Sequence, residues 1–358
     1  IMTRIVECSD GIDPSYLDAL PTPEWDEIAT QGSSGTCSAV VPSLTNVNNV
    51  SIATGSFPKS HGITGNTYYD RETNEREYME DPSFLRKPTR FSALQEQGES
   101  SIALVAKEKL ERMVGQGCQT TASAENPPKW LTDEVGEPPG IYSGEASSWL
   151  LNAAVWVADN KAPDWLYVST TDVIPHKHAP NEPEAADWLA TLDSGLGELH
   201  NRAEAFMATA DHGMREKTLA VDIEAALADA GINAVVIRLI RDKHVYHHQN
   251  LGGSAYVYLT DQTEVTEAID LLTATDGVES VLQREEAAES FSLPTDRIGD
   301  LMVLGTEESV FGPVEDGIFE SVDLRSHGSH HEQTVPYVTS VDRSISNNLE
   351  AITALENN

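Results

Sequence analysis

The sequence predicts an α/β fold, because short apolar runs alternate with longer amphipathic stretches along its 358 residues. Four apolar runs have the length of buried strands, and four amphipathic stretches have helical periodicity. The candidate strands are residues 4–8, 101–105, 165–169 and 205–209, and the candidate helices are residues 45–53, 147–159, 182–203 and 222–229. This alternation is typical of a core sheet with helices on both faces.

The charge balance is strongly acidic. Asp and Glu total 58 and Lys and Arg total 23, which gives a net charge of −35. A surface of this sign excludes a nucleic acid polymer as a partner. Acidic residues are spread among recurring apolar segments, which indicates a folded chain whose self-repulsion is screened by high salt, as in halophiles. An ordinary acidic enzyme is the alternative.

Cysteine content and hydropathy indicate which cellular compartment the sequence favours. The three cysteines (Cys8, Cys37 and Cys118) are odd in number and form no Cys-x-x-Cys motif. This favours a reducing, cytoplasmic compartment over a disulfide framework. No apolar run approaches the roughly 18 residues of a membrane span, so no membrane association is expected. The sequence predicts no particular oligomeric state.

The texture of the chain changes in its second half. Residues 217–298 read as helix, strand, strand, helix and strand, the order of a small α+β unit. We therefore predict a catalytic core formed by residues 1–216 and 299–358, with residues 217–298 inserted as a second domain. An apolar run at residues 300–304 is expected to return to the main sheet. Residues 115–140, which contain two Pro-Pro pairs, are predicted to be a loop.

Polar residues follow the candidate strands where ligands bind in an open α/β sheet. Asp10, Asp172 and Asp211 each come shortly after a strand, and Thr45 opens a helix. The carboxyl ends of parallel strands share one edge of the sheet, so these four residues are expected to converge there. Taken singly, each has an ordinary alternative as a helix N-cap.

Histidines accompany these carboxylates. Asp172 and His176 are four residues apart, His212 follows Asp211 directly, and His327 lies in a late Arg-Ser-His-Gly segment. Carboxylate and imidazole together suit Zn²⁺ or a neighbouring divalent metal. Three Asp and three His are the inventory of a site for two metal ions.

Six segments in the chain carry most of these polar residues. They are DGIDP at 10–14, VPSLTNVNN at 41–49, SHGITGN at 60–66, TTDVIPH at 170–176, ADHGM at 210–214 and RSHG at 325–328. Together they resemble the alkaline phosphatase superfamily, on its nucleotide pyrophosphatase/phosphodiesterase branch. The resemblance runs from about residue 4 to residue 336 and keeps the order of the family's motifs.

The resemblance implies a role for each matching residue. Asp10, Asp211 and His212 would hold one divalent metal ion, and the nucleophile Thr45 would bridge to it. Asp172, His176 and His327 would hold the second. Zn²⁺ is the expected metal, with Mn²⁺ and Fe²⁺ as alternatives. His178 and His331 stay open as alternative ligands, and residues 217–298 would be the family's cap over an alkaline-phosphatase-like core.

Three further segments resemble the subfamily that hydrolyses the carbon–phosphorus bond of phosphonoacetate, a small anionic phosphonate. They are DPSFLR at 81–86, VAKEKL at 105–110 and HHQNLG at 247–252. The resemblance implies that Lys107 and Lys109 grip the substrate and that Asn66 supports the phosphoryl oxygens. The implied intermediate is a phospho-threonine at Thr45, which water then hydrolyses to release phosphate.

Two alternatives accompany this expectation. Lys107 and Lys109 would be ordinary residues at a solvated helix start if Glu108 and Glu111 were their partners. A nucleotide pyrophosphatase/phosphodiesterase of the same fold would need an aromatic nucleotide slot, for which Tyr68 and Tyr69 are candidates.

Overall fold

A computed structural model describes residues 3–243 and 248–356 of the chain. In these two ranges no helix has both the length and the apolar character needed to cross a membrane. The strands are β1 Thr3–Cys8, β2 Ser33–Ser38, β3 Thr67–Asp70, β4 Glu75–Tyr78, β5 Ser101–Val105, β6 Thr120–Ser123, β7 Trp165–Ser169, β8 Ala203–Thr209, β9 Arg215–Val221, β10 Ala234–Arg238, β11 Ser254–Leu259, β12 Val278–Gln283, β13 Leu301–Gly305, β14 Ser309–Phe311, β15 Phe319–Ser326 and β16 Thr334–Thr339.

The helices connect these strands. They are α1 Pro14–Ala19, α2 Pro23–Gln31, α3 Thr45–Thr54, α4 Pro58–His61, α5 Arg90–Glu96, α6 Glu108–Val114, α7 Lys129–Val135, α8 Glu145–Asn160, α9 Val173–Lys177, α10 Pro183–His200, α11 Ile223–Asp229, α12 Val265–Thr273, α13 Arg284–Phe291 and α14 Ala351–Glu356. Single 3₁₀ turns lie at Pro82–Phe84, Gln262–Glu264, Thr295–Arg297, His330–Glu332 and Asn348–Glu350.

The main sheet has seven strands in the order β2-β16-β8-β1-β7-β5-β6. Strands β6, β5, β7, β1 and β8 are parallel, and β16 runs antiparallel to both β8 and β2. Every residue of β5 and β7 is buried, as expected for strands that are covered on both faces. One group of helices, α2, α8 and α10, packs together over β1, β7 and β8, and α3, α5 and α14 form a second group on the sheet. The predicted α/β core is confirmed.

Strand direction gathers the polar segments at one edge. Strands β1, β5, β7 and β8 are parallel, so their carboxyl ends meet there. Strand β2 is antiparallel to β16 and therefore runs the same way as β8. The segment from β2 to α3 thus delivers Thr45 to the edge that carries Asp10, Asp172 and Asp211.

A second sheet lies outside this core. It has four antiparallel strands in the order β10-β11-β13-β12. Its own apolar cluster includes Val257 of β11, Leu272 of α12 and Leu301 of β13. The expectation that residues 300–304 rejoin the main sheet is wrong, because β13 pairs with β11 and β12. The division into a core and a domain at 217–298 stays a prediction, and its second boundary separates β13 from its partners.

A three-stranded ribbon, in the order β14-β9-β15, connects the two sheets. Strand β9 begins shortly after His212, where the chain leaves the main sheet, and β15 ends directly before His327. The two strands are antiparallel, and Ser326 pairs with Arg215. This register brings two histidines that are distant in sequence back to the same place.

The loop predicted at residues 115–140 is wrong in two places, because it contains β6 and α7. Strand β6 is short and mostly polar, but it pairs in parallel with the buried β5. Pro128 acts as the N-cap of α7 and does not break the helix, since the first helical positions need no donor from proline.

Candidate active site

Three buried carboxylates converge at the carboxyl edge of the main sheet. Asp10, Asp172 and Asp211 follow β1, β7 and β8, and none is more than 4% exposed. The Gly11 amide donates to Asp211 Oδ1 at 3.2 Å. Gly11 has a φ of 76°, and a Cβ at this position would lie 2.9 Å from that of Asp172. The backbone after β1 therefore approaches the neighbouring aspartates as only glycine permits.

Three imidazoles complete the cluster, and their orientations share one feature. The Nδ1–H of each histidine donates to a backbone carbonyl, which leaves the Nε2 lone pair directed at the carboxylates. The acceptors are Arg325 for His176 at 2.7 Å, Gly213 for His212 at 2.9 Å and Ser43 for His327 at 2.7 Å. This is how metal-ligating histidines are held in proteins.

Short distances connect the Nε2 atoms with the carboxylates. His212 Nε2 lies 3.3 Å from Asp10 Oδ1 and 3.7 Å from Asp211 Oδ2. Asp172 Oδ2 lies 2.9 Å from His176 Nε2 and 3.6 Å from His327 Nε2. The rings of His212 and His327 stack with centroids 3.5 Å apart and planes within 8°.

Two sets of ligand atoms are compact enough to hold an ion: Asp10, Asp211 and His212, and Asp172, His212 and His327. The first is the predicted set. In the second, His212 stands where the resemblance implies His176, although His176 also contacts Asp172. The assignment of His176 to the second ion stays a prediction.

The electrostatics of the cluster favour a bound cation. Burial, together with Asp172 and Asp211, raises the pKa of Asp10 well above its usual value. Burial alone would lower the pKa of His212, but Asp211, Asp10 and Asp172 raise it to about 10. Burial and the imidazoles of His212 and His176 hold the pKa of His327 well below its usual value. Crowded carboxylates with inward imidazole lone pairs form a donor set that fits divalent transition metals.

The candidate nucleophile borders this cluster. Thr45 is the first residue of α3 and follows the N-cap Leu44, so it is not the cap that its type suggested. Its Oγ1 lies 3.2 Å from His212 Nε2. One turn later, the Asn49 amide donates to Asp211 Oδ2 at 3.2 Å. Helix α3 therefore fixes both the hydroxyl and one carboxylate of the cluster.

Two lysines face the same cavity from the end of β5. Lys107 is the N-cap of α6, and Lys109 lies in its first turn. The Nζ of Lys109 donates to Asp242 at 2.6 Å, and the side chains of Lys109 and Asp242 are each only 12% exposed. Burial would lower the pKa of Lys107, but Asp172, Asp242 and Asp10 raise it. The alternative of a solvated helix start is therefore wrong: Asp242 holds Lys109, and the carboxylates that act on Lys107 include two from the candidate site.

Asn66 lines this cavity together with Thr45 and Lys107. Its Nδ2 donates to the Ile240 carbonyl at 3.0 Å, and its backbone amide donates to Leu239 at 2.9 Å. Asn66 therefore binds the segment after β10 to the site. Its predicted contact with phosphoryl oxygens stays a prediction.

Asn46 also lines the cavity, and sequence reasoning missed it. The residue is 3% exposed, and its Nδ2 is buried without a hydrogen-bond partner in residues 3–243 and 248–356. A buried amide without a partner, next to the candidate nucleophile, is a candidate donor to an anionic ligand. The sequence signal that could have identified Asn46 was its position directly after Thr45 at the start of a predicted helix.

Two histidines offered as alternative metal ligands lie elsewhere. His178 Nδ1 lies 2.8 Å from Glu182, and His331 Nε2 lies 2.6 Å from Glu279. Neither belongs to the two compact ligand sets of the candidate site. His248 lines the cavity, and His247, which precedes it in the quoted segment, lies outside the described residues.

The chain is similar to known proteins in both sequence and structure. Residues 8–333 match the family model for type I phosphodiesterase / nucleotide pyrophosphatase. A phosphonoacetate hydrolase from Sinorhizobium meliloti 1021, solved with phosphonoacetate, is 35% identical. The match covers 99% of this chain and 95% of that one, with a TM-score of 0.91. The same enzyme with phosphonoformate gives a TM-score of 0.90.

More distant proteins share parts of these features. Human ectonucleotide pyrophosphatase / phosphodiesterase 5 is 16% identical, covers 99% of this chain and 94% of its own, and has a TM-score of 0.73, which shows the fold alone. The venom phosphodiesterase CdcPDE of Crotalus durissus collilineatus is 28% identical over 221 residues, or 58% of this chain and 26% of that protein. The chain thus spans about a quarter of the length of the curated relatives it matches.

These matches confirm the resemblance stated from the sequence. The chain belongs to the type I phosphodiesterase / nucleotide pyrophosphatase family.

Proposed function

We propose that this family member hydrolyses the carbon–phosphorus bond of phosphonoacetate to acetate and phosphate. The observation that carries the proposal is the half-buried lysine pair, Lys107 and Lys109, in the same cavity as Thr45. A phosphonate with a carboxylate presents two anionic ends. The cavity offers a cation-binding cluster at one side and two ammonium groups at the other.

The phosphoryl end is assigned to Thr45 and its neighbours. The amide of Asn46, the side chain of Asn66 and the amino end of α3 would receive the phosphoryl oxygens. Thr45 Oγ1 forms a bond to phosphorus while the bond from phosphorus to carbon breaks. The carbon takes a proton to give acetate, and water then hydrolyses the phospho-threonine to free phosphate.

Two divalent metal ions are part of the proposal. Asp10, Asp211 and His212 would hold one beside Thr45, and Asp172, His176 and His327 would hold the other. Such ions neutralise phosphoryl charge and lower the pKa of a hydroxyl or a water. The imidazole and carboxylate donors favour Zn²⁺, with Mn²⁺ or Fe²⁺ as alternatives.

The lysines would stabilise the leaving group, which carries a different charge problem in a phosphonate than in a phosphate ester. The leaving group is a carbon whose negative charge must spread into the carboxylate as an enolate. Lys107 lines the same cavity as Asp10, Asp172 and Asp242, and Asp242 accepts a hydrogen bond from Lys109. An ammonium group at the substrate carboxylate therefore stabilises charge that is greatest in the transition state.

A nucleotide pyrophosphatase/phosphodiesterase activity is the second candidate, and the family supports it. Its aromatic slot was expected from Tyr68 and Tyr69. Both line a different cavity, together with Arg71 and Tyr258. Among the described residues that line the cavity of Thr45, none is Phe, Tyr or Trp. This favours the small phosphonate.

A competition between substrates tests the proposal. Phosphate release from phosphonoacetate is measured beside cleavage of p-nitrophenyl thymidine monophosphate, with and without added Zn²⁺. We expect kcat/KM for phosphonoacetate to be the larger of the two, with both activities lost on chelation. The reverse order of the two substrates would favour the second candidate.

The working environment is proposed from composition and thiols. The net charge of −35 supports a cytoplasm of high salt. Cys8, Cys37 and Cys118 are free thiols, which supports a reducing compartment.

A further inference from the structure

Three metal-binding side chains meet outside the candidate active site, at Glu279, His330 and His331. Nε2 of His331 lies 2.6 Å from Glu279 Oε2, and Nε2 of His330 lies 3.2 Å from the same oxygen. The two rings are 4.1 Å apart. The side chains are 22% to 40% exposed. Two imidazole nitrogens and one carboxylate oxygen therefore lie close together at a partly solvent-exposed position.

A buried turn holds the two histidines. His330 and His331 start the 3₁₀ turn that ends at Glu332. Its N-cap, Ser329, accepts the His331 amide at 3.1 Å, while the Glu332 carboxylate accepts the Ser329 amide at 3.0 Å. The other oxygen of Glu332 accepts from the fully buried Lys217 at 2.7 Å. The imidazole pair is thus mounted on a fixed backbone.

A bulge presents the carboxylate. The pairing of β12 with β13 shifts register between Val278 and Ser280, so Glu279 is the additional residue. A bulge of this kind redirects a side chain out of the regular alternation of a strand. Glu279 lies on an edge strand of the four-stranded sheet, and the bulge aims its carboxylate at the histidine turn.

The donor set discriminates between metals. Two imidazoles with one carboxylate favour Zn²⁺ and related transition metals, whereas carboxylates alone suit Mg²⁺ and Ca²⁺. A second surface group, His178 with Glu182 and Glu184, offers one imidazole only. It provides a matched comparison within the same acidic protein.

We propose that Glu279, His330 and His331 form a binding site for one transition-metal cation, represented by Zn²⁺, separate from the candidate active site. The ion connects the edge of the four-stranded sheet to the turn that follows His327. This site is independent of the reaction proposed above.

Zinc equivalents measured by elemental analysis test the proposal. The full-length holoprotein is equilibrated with micromolar ZnCl₂ in a large excess of MgCl₂, which occupies surface carboxylates. We expect wild type to retain one Zn²⁺ equivalent more than Glu279→Gln and His331→Gln. The control His178→Gln should match wild type. Equal zinc contents in wild type and the two site variants would overturn the proposal, as would an equal loss in the control.

Thermal unfolding supplies a second measurement that does not depend on stoichiometry. Added Zn²⁺ should raise the Tm of wild type more than that of His331→Gln, because only the folded state of wild type has this site. Each variant's circular dichroism and phosphate release without added Zn²⁺ show that it is folded. An identical rise in Tm for wild type and folded His331→Gln would also overturn the proposal.

Discussion

The two sides of the active-site cavity differ in both charge and construction. The acidic side consists of Asp10, Asp172 and Asp211, which follow β1, β7 and β8 respectively. These three strands are adjacent at the centre of the main sheet. The basic side consists of Lys107 and Lys109, which follow β5 and are completed by Asp242 from the segment after β10. The acidic side therefore belongs to the main sheet, whereas the basic side requires a contact with Asp242 in the segment after β10. Metal binding and substrate preference are expected to change independently.

Two buried histidines show the same contrast. Three aspartates raise the pKa of His212 against the effect of burial, to about 10. Burial, Lys87 and Arg297 lower the pKa of His61 to about 3. The His61 Nδ1 accepts the Ile63 amide at 3.1 Å, so its Nε2–H faces Ser51 Oγ at 2.9 Å. His61 is thus a neutral structural imidazole, whereas His212 belongs to the candidate metal-binding cluster.

The largest expected effect is the loss of the Thr45 hydroxyl, a change that leaves the acidic and the basic side of the cavity in place. Thr45→Ala should lower kcat by at least ~10³-fold, because the nucleophile is lost. Its metal content should stay near that of wild type, since the carboxylates and imidazoles remain. Thr45→Ser, which keeps a hydroxyl, is the control and should retain partial activity. If Thr45→Ala kept more than a few per cent of turnover, water would attack phosphorus directly.

Removal of an imidazole tests the acidic side alone. His327→Ala should lose one metal equivalent by elemental analysis and retain the ion held by Asp10, Asp211 and His212. Activity should fall by at least ~10²-fold. His176→Ala tests the same ion from its other predicted ligand. Retention of every metal equivalent in both variants would contradict the predicted second ligand set.

Substitution of a lysine tests the basic side alone. Lys107→Ala should lower kcat/KM for phosphonoacetate by ~10²-fold, because the enolate charge loses its partner. Hydrolysis of a p-nitrophenyl ester, which has no carboxylate on its leaving group, should change little.

Lys109 requires a matched pair of variants. Lys109→Ala leaves Asp242 without its ammonium partner, and Lys109→Ala with Asp242→Asn removes that charge as well. If Lys109 acts on the substrate, both should lose activity toward phosphonoacetate. A parallel fall for the two substrates in every lysine variant would show that these residues support the fold.

The contrast between the two histidines predicts a pH dependence of stability. The folded-state pKa of His61, about 3, lies below the ordinary histidine value of 6.5. Its contribution to stability is therefore present above pH 6.5 and is lost as pH falls toward 3, with a slope of up to ~1.4 kcal/mol per pH unit. Urea unfolding between pH 7.5 and 4.5 should show a shallower loss for His61→Gln than for wild type. Equal slopes would contradict a neutral buried His61.

The smallest expected effect concerns the whole surface. Tm should rise by several degrees between low salt and 1 M KCl, where the Debye length is ~3 Å and repulsion at a net charge of −35 is screened. The rise should be shared by wild type and Lys107→Ala. A Tm that is flat or falls with salt would contradict the halophilic interpretation.

The central strands and the convergence of Asp10, Asp172 and Asp211 were predictable from sequence, because these strands are mainly apolar and each aspartate follows one of them. Strand β13 was assigned to the wrong sheet, since its apolar run fits either sheet and pairing over long distances leaves no local pattern. Strand β6 was missed because its residues are mostly polar. The partner of Lys109 was also beyond prediction, as Asp242 is 133 residues away.

The return of β15 along β9 has a consequence for refolding. This ribbon stacks His327 on His212, and the buried pair of Lys217 and Glu332 beside it joins residues 115 positions apart. A loop of that length costs little more to close than a shorter one, but its contacts form only after a long search. A refolding chain should therefore acquire helices and the local strand pairs before the candidate metal ligands meet. Catalytic competence should be among the last properties to return.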